Sequence, residues 1–93
     1  MKNTIDQRDI NEIMLMTLIQ SQQVGEKTTI VTATLPNGFV IVESSSCVDA
    51  SNYDHSIGED ICMGKIVDKV WELEGYRLQD HVYKNKQSGL KFQ

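Results

Sequence analysis

At 93 residues the chain makes one domain, and its 40% hydrophobic content suffices for a core. Thirteen Asp and Glu against nine Lys and Arg leave a net charge of −4, which argues against a broad basic face for duplex DNA or RNA. A chain this short buries little more than ~60% of the surface its unfolded form exposes, so a homo-oligomer, dimer or larger, is expected.

The N-terminal run Met1-Lys2-Asn3-Thr4-Ile5-Asp6 is polar, without the apolar stretch of a signal peptide. No segment approaches the ~20 apolar residues of a membrane span, so the expected location is the cytoplasm. A helix is predicted from about Ile5 to Gln23, opened by a capping box of Thr4 with Gln7. Ile10, Ile13, Met14 and Leu18 form one apolar stripe and Leu15, Met16 and Ile19 a second. Two stripes are more than one layer can cover, which points to packing against another subunit.

Gly25 is expected to end that helix. Thr28 to Leu35 then reads as a strand rich in Thr, Ile and Val, and Pro36-Asn37-Gly38 as a turn. Phe39 to Glu43 reads as the returning strand, and its apolar run Phe39-Val40-Ile41-Val42 suggests burial on both faces. After a polar connection, a short helical turn is predicted around Ala50 to Tyr53 with Asp49 as its cap.

The main second helix is predicted from Ile57 to Leu73, with Met63, Ile66, Val67, Val70 and Trp71 on one face and Ile57 and Ile61 extending it. Gly75 stands where a left-handed C-terminal cap belongs, and Gly64 inside the helix suggests close approach of another backbone. Tyr76 to Tyr83 reads as a short further helix, and residues 85–93 as a basic, disordered tail after a single domain over 1–84. The fold class is α+β: an N-terminal helix, an antiparallel β-hairpin and a C-terminal helix in one small oligomeric domain.

No pattern of residues marks an active site. The run Asp54-His55-Ser56 brings three residue types of a triad together, but adjacent side chains diverge and triads assemble from distant segments, so a capping loop is the reading. Cys47 and Cys62 lack the spacing of a zinc site, no Walker loop or GxGxxG occurs, and neither metal nor cofactor is expected.

Binding has more support. The basic residues Lys65, Lys69, Arg77, Lys84, Lys86 and Lys91 crowd into the last third of the chain. Tyr76 beside Arg77 suits a nucleobase and a phosphate, by stacking and by bidentate hydrogen bonding. The Ser44–Cys47 stretch offers hydroxyl and backbone N–H groups for an anion.

The ordered motifs Leu35-Pro36-Asn37-Gly38-Phe39, Glu43-Ser44-Ser45-Ser46-Cys47-Val48-Asp49, Asn52-Tyr53-Asp54, Ile57-Gly58 and Lys69-Val70-Trp71-Glu72-Leu73-Glu74-Gly75-Tyr76-Arg77-Leu78 resemble a family of short tailed-phage and prophage proteins, the gp forty-nine / gene sixty-six type. The resemblance spans about Thr28 to Leu78, leaving the first helix and the tail outside it. It implies a phage product in the host bacterial cytoplasm, with no enzyme activity attached. It further implies a likeness to phage anti-defence sponges of the Thoeris anti-defence type. Such a sponge sequesters, without cleaving it, a nucleotide second messenger of defences such as Thoeris or CBASS: a cyclic ADP-ribose derivative or a cyclic oligonucleotide.

In that role Arg77 or Lys65 would bind phosphate, Tyr53 or Tyr76 would stack on adenine, and Ser45 or Asn52 would hydrogen-bond ribose. The alternative is a protein-binding inhibitor of a host defence factor, using the acidic surface. A third reading is a structural or assembly protein of the virion.

Overall fold

The computed structural model describes residues 3–90. Its elements are α1 (Gln7–Leu15), β1 (Leu18–Val24), β2 (Thr28–Thr34), β3 (Val40–Ser46), the 3-10 turn η1 (Ala50–Asn52) and α2 (His55–Leu90). The α+β class and the order helix, antiparallel sheet, helix are as expected, but the first helix is less than half its expected length. Asp6 and Asp9 form its capping box, each backbone N–H donating to the other's carboxylate at 3.0–3.1 Å, where Thr4 and Gln7 were expected.

α1 stops because Met16 N–H turns back to the Ile13 carbonyl and the Thr17 hydroxyl donates to the same oxygen at 2.7 Å. The chain then leaves as β1, so residues 18–23 lie in a strand where a helix was predicted. Gly25 ends no helix. It holds φ +68° in the three-residue turn between β1 and β2, where a left-handed residue is needed.

The sheet order is β1-β2-β3, antiparallel throughout, with β2 central. Leu18 pairs with Thr34 and Val24 with Thr28 on one side; Thr28 pairs with Ser46 and Thr34 with Val40 on the other. The predicted β2–β3 hairpin is present. Gly38 N–H donates to the Leu35 carbonyl at 2.8 Å, and the Asn37 side chain accepts from Phe39 N–H at 3.0 Å.

Burial alternates along β2: Thr29, Val31 and Ala33 face the helices, while their neighbours face away. α2 lays Gly58, Cys62, Ile66 and Val70 against that face, four residues apart, and Ile10 of α1 closes the core. Ile41 completes the buried cluster, and Ile13, Met14, Met63, Val67 and Trp71 pack around it half-buried. Ile57 and Ile61, expected to extend the buried stripe, are exposed.

The close approach of a backbone belongs to Gly58 rather than Gly64. A Cβ at Gly58 would stand 2.8 Å from Thr29 Cβ and closer still to its hydroxyl, whereas one at Gly64 would meet nothing within 4 Å. Gly75 is not a cap either, because α2 continues without interruption through Leu90 and absorbs the separate helix expected at Tyr76 to Tyr83. The helix passes the expected start of the tail at residue 85; the remainder of that tail, residues 91–93, lies outside the described residues.

On the sheet face turned away from the helices, Leu18, Val24, Val40 and Val42 stand exposed, as do Leu15 and Met16 at the end of α1. Among the described residues no helix is long and apolar enough to cross a membrane.

Candidate functional site

Two short turns shape the segment between β3 and α2. Asp49 caps η1, accepting from Ser51 N–H at 3.0 Å and the Ser51 hydroxyl at 2.9 Å. Asp54 caps α2 in the same manner, accepting from the Ser56 hydroxyl at 2.7 Å and from the N–H groups of Ser56 and Ile57. The hydrogen bonds from Ser51 hold the Asp49 carboxyl below the usual range, and those from Ser56, then Ile57, do the same for Asp54. Asp54 and Ser56 thus form a cap, as the capping-loop reading expected.

His55 points elsewhere. Its Nε2 lies 2.9 Å from Ser21 Oγ on β1 and 3.3 Å from a Glu59 carboxylate oxygen. Its Nδ1 lies 2.8 Å from the Tyr53 hydroxyl, which in turn lies 2.7 Å from the hydroxyl of fully buried Thr29. One proton arrangement satisfies each member: Thr29 donates to Tyr53, Tyr53 to Nδ1, and the Nε2–H to Ser21 and Glu59. A Ser-His-acid relay needs serine and acid on opposite ring nitrogens, but here both face Nε2. The network pins the start of α2 across the sheet from β2 to β1.

Beside it a cleft of about 100 Å³ opens between the β2–β3 end of the sheet, η1 and the first turns of α2. Lys27, Thr29, Ser45, Ser46, Asn52, Tyr53 and Asp54 supply its polar lining, and Ile57 and Ile61 an apolar wall. The Lys27 amine donates to the Val48 carbonyl at 3.1 Å. A nucleotide site is usually ~300 Å³ or more, so the cleft of one chain holds only part of such a ligand.

Three of the six predicted binding residues, Ser45, Asn52 and Tyr53, therefore meet in one place. The other three do not join them. The Lys65 amine donates to the Ser44 carbonyl at 2.8 Å on β3. Arg77 is ion-paired with Glu74 at 2.9 Å and borders a shallow groove of about 310 Å³ against Ile5, Asp9, Ile13 and Met16 of the N-terminal segment. Tyr76 is 73% exposed next to it. At 1.5 Å per residue, Arg77 lies about 28 Å along α2 from Gly58.

Sequence reasoning passed over Lys27, Ser21 and Thr29, and read His55 only as part of a cap. Ser21 meets His55 across 34 positions through strand pairing, which no local spacing announces. Cys47 and Cys62 are free thiols, and burial pushes the Cys62 thiol up. Among the described residues no three His, Cys, Asp or Glu side chains gather to hold a metal ion.

The family model described as Phage protein (N4 Gp49/phage Sf6 gene 66) matches residues 1–82. The chain belongs to this family. The match extends beyond the motifs at Thr28 to Leu78 and takes in α1 and β1, so all three strands of the sheet lie within the matched residues. No curated protein and no solved structure matches this phage protein.

Proposed function

We propose that this phage protein acts by stoichiometric binding without turnover, sequestering a nucleotide immune signal of the host in the bacterial cytoplasm. The observation that carries the reading is the cleft in which Ser45, Asn52 and Tyr53 meet Lys27. An amine and hydroxyls suit phosphate and ribose, an aromatic edge and the Ile57–Ile61 wall suit a base, and the small volume suits a site completed by a second copy. The ligand class is a cyclic ADP-ribose derivative or a cyclic oligonucleotide. Arg77 and Tyr76, remote along α2, enter such a site only from a neighbouring copy.

Titration calorimetry with cyclic ADP-ribose isomers and cyclic di- and trinucleotides tests the proposal. One of them is expected to bind at a fixed ratio and to be recovered intact after heating, with Lys27→Ala and Asn52→Ala each weakening it at least tenfold. No heat with any of them, or recovery of a cleaved product, overturns it.

A second reading, an inhibitor that docks on a host defence protein, is favoured by one feature. Tyr76 and Tyr83 stand exposed seven residues apart on one side of α2, the spacing and residue type of a helix-presented hot spot. Under that reading Tyr76→Ala with Tyr83→Ala abolishes protection of the phage while leaving nucleotide binding nil in both proteins.

A further inference from the structure

The two edges of the sheet are treated differently. β3 carries Glu43, and the Lys65 amine sits on its Ser44 carbonyl, so a charged side chain guards that edge. β1 has no such guard. Its seven residues, Leu18-Ile19-Gln20-Ser21-Gln22-Gln23-Val24, contain no charge and no proline, and all but Ser21 are exposed. α2 packs mainly across β2 and β3 and meets β1 at Ser21 through His55, while the other six residues of β1 stand exposed.

We propose that β1 pairs antiparallel with β1 of a second copy about a two-fold axis at Ser21, joining two three-stranded sheets into one of six strands. The occupant follows from the strand's own sequence, which is close to palindromic in chemistry about Ser21. In that register Leu18 stands opposite Val24 of the partner subunit, and Gln20 opposite Gln22 of the partner subunit. Ile19 opposite Gln23 of the partner subunit is the mixed pair, and all three pairs recur on the far side of the axis. At the matched positions an apolar side chain meets an apolar one and an amide meets an amide. No charge is buried anywhere along the strand and no like charges are opposed.

Exposed Leu15 and Met16 flank the strand and add apolar surface to the contact. Because Ser21 holds His55, the axis also brings the two His55–Tyr53 networks side by side. The pairing does not depend on whether a nucleotide binds.

Light scattering coupled to gel filtration provides the test. Wild-type protein is expected at twice the mass of the 10.5 kDa chain. Gln20→Lys with Gln22→Lys sets lysine against lysine at both amide pairs and is expected to weaken the dimer at least tenfold while leaving the circular dichroism unchanged. An equal mixture with the Gln20→Glu, Gln22→Glu protein is expected to dimerise again, because each lysine then faces a glutamate.

Ser21→Cys supplies a reading independent of added charge. Residues opposed at the axis have Cα atoms ~4.5–5.5 Å apart, so this variant is expected to form a disulfide-linked dimer under mild oxidation, and Ser46→Cys on the far edge is not. A wild-type monomer at high concentration, or lysine variants that dimerise undiminished, overturns the proposal. So does a mixture that stays monomeric, or a cross-link that favours Ser46→Cys over Ser21→Cys.

Discussion

At the scale of single residues, the seat of Gly58 on Thr29 is the closest approach at any described glycine. The helix start approaches the sheet so closely that no side chain fits between them, and Thr29 is fully buried beneath it. Gly58→Ala should therefore destabilise by about 1–3 kcal/mol, the usual cost of overpacking. Gly64→Ala, at an open position on the same helix, should stabilise by up to ~1 kcal/mol through helix propensity alone. Urea denaturation of the two variants checks both signs, and equal shifts would refute the seat.

Tyr53→Phe probes the same spot from the polar side. It removes the hydroxyl that joins buried Thr29 to His55 and leaves both partners unsatisfied, so a loss of about 1–3 kcal/mol is expected, read as a lower urea midpoint at unchanged m.

At the scale of elements, the Asp54 cap ties the stability of α2 to pH. Hydrogen bonds from Ser56 and Ile57 favour the carboxylate, so its pKa is lower in the folded chain than in the unfolded one. The stabilisation is complete above the ordinary carboxylate value, about pH 4, and is lost as pH falls through the lower folded value. Asp49 at η1 has the same sign. The gap in urea midpoint between wild type and Asp54→Ala should be widest near neutral pH and should close as the solution is acidified below the folded value. A gap that persists undiminished in acid would locate the effect outside the carboxylate.

The legibility of the elements follows from how local their causes are. Pro36-Asn37-Gly38 and the flanking β-branched runs carry the second hairpin within a short stretch of chain, and Asp49 carries η1 from the adjoining position, so both could be read directly. β1 could not. Leu18 continues the apolar spacing of Ile10, Ile13 and Met14, and Gln20, Gln22 and Gln23 are good helix formers with little strand preference. What makes the segment a strand is its pairing with β2, a tertiary cause that overrides propensity.

The long helix misled for a related reason. Gly75 has the chemistry of a cap but keeps a helical backbone, while the side-chain pairs Glu74–Arg77 and Asp80–Lys84 reinforce the helix around and beyond it. The site divides along the same line. Ser45, Asn52 and Tyr53 sit within one short stretch and could be grouped by sequence, but Ser21 and Thr29 join them only through sheet register.

At the scale of the whole molecule, α2 sets the outline. Its 36 residues span about 54 Å, while the sheet it crosses is only seven residues long. Among the described residues Leu78 is the last buried one, and beyond it the helix projects with Tyr83, Lys84 and Lys86 in solvent. The molecule measures 64 × 23 × 20 Å with a Cα radius of gyration of 17.7 Å, against about 12 Å for a compact domain of this length. Small-angle scattering discriminates sharply between these values. The Gln20→Lys, Gln22→Lys protein, taken as the monomer, should give a radius at or slightly above 17.7 Å, with a distance distribution tailing out to the 64 Å long axis. A radius at the compact-domain value would mean that α2 breaks and folds back, with Gly75 the natural hinge. Tyr76 and Arg77 would then be brought towards the sheet, and the separation of the two halves of the predicted site would vanish with the straight helix.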